Sequence, residues 1–250
     1  MKFIQKTINY GAGEPFPNDK LWRYMDFPKF ISLLDKSALF FTRADKFEDP
    51  LEGLFPKNGS NDGNHEMIKL FYELNRKWVC ISCWHLNEFE SAAMWSLYSN
   101  RDQGIAIQTT YSRFKSSFLD INQLRPQIGK VEYVDIEKGK WSVREGLERD
   151  VLDSFTIKRP SFAHEQEVRA IITATPIEEL HDDGTPVIDQ TLEPFAFGAE
   201  MYVDLERLIE NVYLSPYSPQ WHQEIMLSIL EKYNLKVPVL KSKLYDASLR

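Results

Sequence analysis

His164-Glu165-Gln166-Glu167-Val168-Arg169-Ala170-Ile171-Ile172 places two carboxylates, one residue apart, directly before a short apolar run. The run reads as a buried strand. Side chains at i and i+2 of an extended chain point to one face, so Glu165 and Glu167 are expected side by side, with Arg169 next along that face. Two acids and an arginine arranged like this form either a solvated salt-bridge ladder or a functional cluster, and charged residues usually stay solvated. The rest of the chain has to tip the balance.

Around this stretch, 250 residues of 43% hydrophobic composition are enough to fill a substantial core. Prolines and glycines are scattered, and there is no internal repeat or low-complexity linker. No apolar run approaches the length of a membrane span, and Met1-Lys2-Phe3-Ile4-Gln5 lacks the apolar region of a signal peptide. A cytoplasmic protein without membrane association is expected. The formal net charge of −7 argues against broad adhesion to a phosphate backbone; nucleic acid stays open as a partner that charge does not indicate.

Cys80 and Cys83 form a C-x-x-C within Trp78-Val79-Cys80-Ile81-Ser82-Cys83-Trp84. A structural zinc site needs four ligands, and a second pair is lacking. Residues three apart on a strand face opposite sides, so no metal is expected, and the thiols read as reduced and packed.

Residues 1–20 read as a lead-in, a strand from Lys2 to Ile8 and a turn-rich Gly11-Ala12-Gly13-Glu14-Pro15-Phe16-Pro17-Asn18-Asp19. Residues 21–250 read as a single α+β domain. Strands are expected at Leu21 to Met25, Ala38 to Thr42, around the cysteines, at Gly104 to Thr109, Lys130 to Val134, Met201 to Val203 and Asn211 to Leu214. Helices are expected from Pro28 with Phe30, Leu33 and Leu34 on one face, from His65 to Arg76 after a loop around Asn58 to Gly63, from Ser91 as N-cap to Tyr98, and from Trp141 to Phe155. Ser218-Pro219 is expected to open a helix over Gln220 to Tyr233, with proline at its first position. Thr175 to Phe197 reads as a long turn-rich excursion. This mixture lacks regular βαβ alternation, and its short aromatic strands suit a curved or split mixed sheet flanked by helices.

No G-x-S-x-G, H-E-x-x-H, phosphate loop or dinucleotide fingerprint is present. One constellation does have the right parts in order: Arg23 on an early strand, Ser82 on a middle one, and Glu165-x-Glu167 at the start of a later one. It resembles the arginine-serine-glutamate arrangement of the ADP-ribosyltransferase superfamily, in which NAD is split at its nicotinamide glycosidic bond. The strand here reads Ile81-Ser82-Cys83 where the superfamily's fuller signature has Ser-Thr-Ser. The phrases Leu21-Trp22-Arg23-Tyr24, Phe47-Glu48-Asp49-Pro50, Met94-Trp95-Ser96-Leu97-Tyr98, Gly104-Ile105-Ala106-Ile107 and His164 to Arg169 also resemble a widespread bacterial family of unknown function, often found near phage-defence genes.

The resemblance implies NAD as substrate and an unknown acceptor. An arginine grips phosphate with paired, charge-assisted bonds, which suits Arg23 to the NAD diphosphate. Ser82 would position ribose or brace the glutamate. Glu167 would stabilise the positive charge that develops on the ribose, and Glu165 would orient or deprotonate the acceptor. Tyr24, Trp95 and Tyr98 would wall the NAD cleft.

Each group also has a plainer use. Arg23 can stack on an aromatic ring, Trp95 and Tyr98 can pack in a core, and Phe47 to Pro50 can be only a turn. Three functions follow. The first is an ADP-ribosyl transferase or NAD hydrolase acting as a defence or toxin effector. The second is a non-catalytic binding or sensor module of a phage-defence system. The third is a metal-dependent nuclease or hydrolase using Glu165, Glu167 and a distant acid such as Asp49.

Overall fold

The computed structural model describes residues 2–5, 8, 10–53, 65–135, 151–181 and 186–246. In chain order the elements are β1 (Lys2–Ile4), β2 (Lys20–Met25), α1 (Phe27–Lys36), β3 (Ala38–Arg43), α2 (His65–Trp78), β4 (Val79–Leu86), α3 (Ala92–Tyr98), β5 (Ile105–Thr110) and α4 (Tyr111–Ser117). There follow β6 (Gln127–Lys130), β7 (Glu132–Tyr133), β8 (Ile157–Lys158), β9 (Glu167–Thr173), β10 (Thr175–Leu180), β11 (Pro186–Ile188) and β12 (Gly198–Tyr202). α5 (Leu205–Leu208), β13 (Asn211–Leu214), α6 (Gln220–Lys232) and β14 (Val239–Lys241) complete the order. The class is α+β, with a mixed sheet.

Among the described residues nine strands form the principal sheet, antiparallel at every ladder except β13–β14. Its centre is β4. One edge of β4 pairs with β9 from Val79↔Thr173 to His85↔Glu167. The other edge is shared: β3 takes one end (Thr42↔Ile81, Arg43↔Cys80) and β2 the other (Leu21↔Leu86, Trp22↔His85). β2 and β3 therefore diverge around Ser82, Cys83 and Trp84, and the sheet is split there.

Alternation along β4 sends Cys80 and Trp84 into the main core beneath α1 and α6, and Ile81 and Cys83 toward the opposite core against α2. The two thiols lie on opposite faces, as their spacing requires. Asp26 caps α1, its carboxylate accepting from the Lys29 amide at 2.9 Å, and Phe30, Leu33 and Leu34 bury one helical face. Ser91 likewise caps α3.

Several expectations need correction. Gln166 adopts a left-handed conformation (φ 41°) between a 3-10 turn over Pro160–Glu165 and the first residue of β9. Glu165 and Glu167 are therefore not i and i+2 of one extended strand. Lys130 to Val134 divides into β6 and β7. Residues 175–197 hold β10 and β11, which join β1 in a three-stranded sheet and so use their backbone groups in ladders. α4, capped by Thr110, was not expected. Pro219 is the N-cap of α6 rather than its first residue, and the Ser218 hydroxyl instead bonds the Asp102 carbonyl and His222.

The loop at 58–63, most of the helix expected over 141–155, and part of the lead-in fall outside the described residues; Val151–Thr156 forms a 3-10 turn. Among the described residues no helix is long and apolar enough to cross a membrane.

Candidate active site

Where the sheet splits there is a cleft of about 560 Å³, lined by residues of β2, β3 and β4 and by the loops around Asp49 and Phe162. That size suits a small-molecule ligand. Arg23 of β2 reaches into the gap. One guanidinium nitrogen donates to the Ser82 hydroxyl and another to the Phe40 carbonyl at 3.1 Å, while the group lies 5.7 Å from the Trp84 ring centre. Ser82 also accepts from the Trp84 indole at 3.1 Å. Arg23 forms no ion pair among the described residues, and desolvation pulls its pKa down. It stays a cation at neutral pH because a guanidinium is so strongly basic.

Across the cleft lies an ion cluster. Arg169 is fully buried and spends all five N–H groups. Two go to Glu167 at 2.9 and 3.0 Å, two to Glu52 at 2.7 and 2.8 Å, and one to the Phe155 carbonyl at 2.8 Å. The Lys158 ammonium stands 2.5 Å from Glu165, 3.4 Å from Glu167 and 3.5 Å from Glu52. Tyr98 donates to the other Glu165 oxygen at 2.7 Å. Among the described residues three carboxyl groups and two basic side chains are thus drawn together.

Gly53 lets the chain turn beside Glu52. It takes φ +68°, and a Cβ there would fall 2.1 Å from the Phe155 ring.

Burial pushes the Glu167 carboxyl up, but the charges of Arg169 and Lys158 win and bring its pKa to about 2. It is an ionised, weakly basic carboxylate. Burial lowers the Lys158 pKa and the glutamates raise it further, so it stays charged. Burial and Glu165 push the Tyr98 phenol up, keeping it a donor. Cys83 is pushed up by burial and by Glu167, which makes it a poor nucleophile.

A pH effect follows from Glu167. A carboxyl depressed from 4.5 to about 2 on folding contributes stability above pH 4.5 that is lost as pH falls toward 2. Thermal unfolding followed through this range is expected to show the loss, and Glu167→Gln to make the decline shallower.

Arg23, Tyr24, Tyr98, Glu165 and Glu167 all line the one cleft. Ser82 meets it through Arg23. Trp95 does not line it: its ring packs edge-on against Tyr24 with centres 5.0 Å apart, and its indole donates to Glu90. Asp49 lines the cleft but pairs with Arg159 at 3.1 Å, not with Arg23. The place a divalent ion would need between Glu165 and Glu167 is taken by the Lys158 ammonium. Among the described residues no three acid, histidine or cysteine side chains are grouped to hold a metal.

A family described as a protein of unknown function (DUF2971) matches residues 94–170. That span includes Tyr98, Glu165 and Glu167. No curated protein matches the chain. Among solved structures, DarT of Thermus sp. 2.9 in complex with carba-NAD+ aligns over 91% of this chain and 96% of its own at 9% identity, with a TM-score of 0.40. The same protein in complex with NAD+ covers 92% and 98% at 9% identity and a TM-score of 0.39. In complex with ADP-ribosylated ssDNA it covers 95% and 97% at 10% identity and a TM-score of 0.41. Likeness this distant carries no functional argument, and the geometry has to supply one.

Glu52, Lys158 and His85 carry no motif that points to the cleft. Lys158 stands directly before Arg159-Pro160, a pattern that marks a turn. Glu52 follows the Phe47 to Pro50 loop by two residues, and nothing local links it to Arg169. His85 is linked to Glu167 only by its place opposite it in the β4 ladder.

Proposed function

We propose that the chain is an NAD-using enzyme that cleaves the nicotinamide glycosidic bond and transfers ADP-ribose to an acceptor or to water. The reading rests on one observation: Arg23, a cation without an acid partner among the described residues, faces the same cleft as the buried acid cluster of Glu165 and Glu167. NAD has matching polarity, an anionic diphosphate and a nicotinamide ribose that becomes more positive as the bond breaks. Arg23 binds the diphosphate. Glu167, held ionised and rigid by Arg169, faces the developing oxocarbenium. Glu165, tied to Tyr98 and Lys158, orients the acceptor. The resemblance of the sequence motifs extends the proposal to a cytoplasmic effector in defence or toxicity.

Arg23→Gln tests the carrying observation. It keeps donors but removes the charge, and two charge-assisted contacts of about 1.5–3 kcal/mol each are at stake. NAD is expected to bind at least about tenfold more weakly, as read by calorimetry. Equal binding by the two proteins, or no nicotinamide release from NAD by the folded native chain across protein, nucleic-acid and water acceptors, would count against the enzyme.

The second reading, a binding module without chemistry, is favoured by the bonding of both Glu167 oxygens to Arg169. It requires NAD to bind without nicotinamide release.

A further inference from the structure

His85 is a buried group that the proposed reaction does not use. It is 2% exposed, lies on β4 and lines the cleft. Its register partners are Trp22 on β2 and Glu167 on β9, so the three side chains share one face of the sheet. Nδ1 is 2.6 Å from the Glu165 carbonyl oxygen. A carbonyl can only accept, so Nδ1 carries the hydrogen. In the neutral ring Nε2 is then a bare acceptor. It is buried and has no hydrogen-bond partner among the described residues. Burial favours the neutral ring.

Of the neighbouring hydroxyls, Tyr98 donates its hydrogen to Glu165. The Tyr24 oxygen accepts from the Ser91 amide at 2.8 Å and its ring lies edge-on to His85, but it makes no hydrogen bond to Nε2. A buried acceptor left without a donor is costly, and such groups are rare in folded proteins unless water or a ligand completes them.

We propose that His85 is a substrate-binding residue whose Nε2 accepts a hydrogen bond from the nicotinamide–ribose half of NAD. This rests on the NAD reading above. It assigns that half because His85 stands beside Glu167, which faces the bond to be broken. The donor is an N–H of the carboxamide or an O–H of the ribose, the same chemistry from two sources. His85 thereby sets the angle at which that half meets Glu167, and it favours ligands that present a donor there over those that present a lone pair.

The test uses His85→Asn. The asparagine amide keeps a donor for the Glu165 carbonyl but places nothing where Nε2 stood. Binding of carba-NAD, ADP-ribose and ADP is measured by calorimetry for the native chain and the variant. Carba-NAD is expected to bind roughly tenfold more weakly to the variant, and ADP equally to both. ADP-ribose weakened alongside carba-NAD identifies a ribose hydroxyl as the donor; ADP-ribose unchanged identifies the carboxamide. Equal carba-NAD affinity in the two proteins, or the same loss for ADP as for carba-NAD, overturns the assignment.

A second measurement avoids any fault of the variant. In the native chain labelled with ¹⁵N-histidine, carba-NAD is expected to shift the His85 Nε2 resonance toward that of a hydrogen-bonded acceptor. An unmoved resonance with ligand bound overturns the His85 role alone. A native chain that binds neither carba-NAD nor ADP-ribose overturns the NAD reading and this one with it.

Discussion

Arg169→Met is expected to destabilise the fold by about 3–5 kcal/mol, the cost of removing one partner from a buried ion pair. For a chain of this size that is a fall of roughly 6–20 °C in the unfolding midpoint. Methionine fills much of the volume, so the loss comes from charge rather than from a cavity. Without the guanidinium, Glu52 and Glu167 would be buried at 2% and 5% side-chain exposure with Lys158 as their remaining cation among the described residues. The Phe155 carbonyl would lose its donor as well. Arg169→Lys separates charge from geometry: it restores one cation but cannot fork to two carboxylates, and a loss between those of the native chain and the methionine variant is expected. Denaturant unfolding checks both. A change below about 1 kcal/mol for Arg169→Met would mean the cluster is a solvated ladder after all, since exposed pairs contribute little.

That outcome bears on how far the cluster could be read from the chain. The alternation of β4 and the spacing of Phe30, Leu33 and Leu34 are local facts, and they place the cysteines and the helix face correctly. The order Arg23, Ser82, Glu167 is also visible in the sequence; at the split in the sheet Arg23 bonds Ser82, and Arg23 and Glu167 line one cleft that Ser82 does not. The mode of assembly is not visible. Glu165 and Glu167 are on one side because Gln166 takes φ 41° and Lys158 bridges them, not because a strand alternates. A glutamine does not announce a left-handed backbone as a glycine would. Glu52 meets Arg169 across 117 residues, and His85 faces Glu167 only through a ladder whose register no local pattern fixes. β10 and β11 were hidden for the same reason, since their third strand is at Lys2–Ile4.

Glu167→Gln is expected to lower the rate of nicotinamide release about 10²–10³-fold while the affinity for NAD changes only a few-fold. The substitution preserves shape and removes one charge. In the ground state that charge is already matched by Arg169 and Lys158, so little binding is lost. As the glycosidic bond breaks, positive charge develops on the ribose, and only then does the fixed carboxylate gain a new partner. An interaction of this kind lowers the barrier without tightening substrate binding. Removing one preorganised electrostatic group in a water-poor site typically costs about 3–4 kcal/mol of the barrier, which gives the stated factor. A pKa near 2 separates this role from base catalysis: Glu167 holds no proton at neutral pH and is too weak a base to take one. Glu165→Gln should behave differently. It is expected to reduce transfer to an acceptor more than release of nicotinamide, because Glu165 acts on the attacking group and not on the departing one. Single-turnover measurements of release and transfer on the two variants decide the matter. If both lose release and transfer in equal proportion, the proposed division between the glutamates is wrong. If Glu167→Gln leaves release intact, the cluster only supports the fold, and the cleft binds without catalysing.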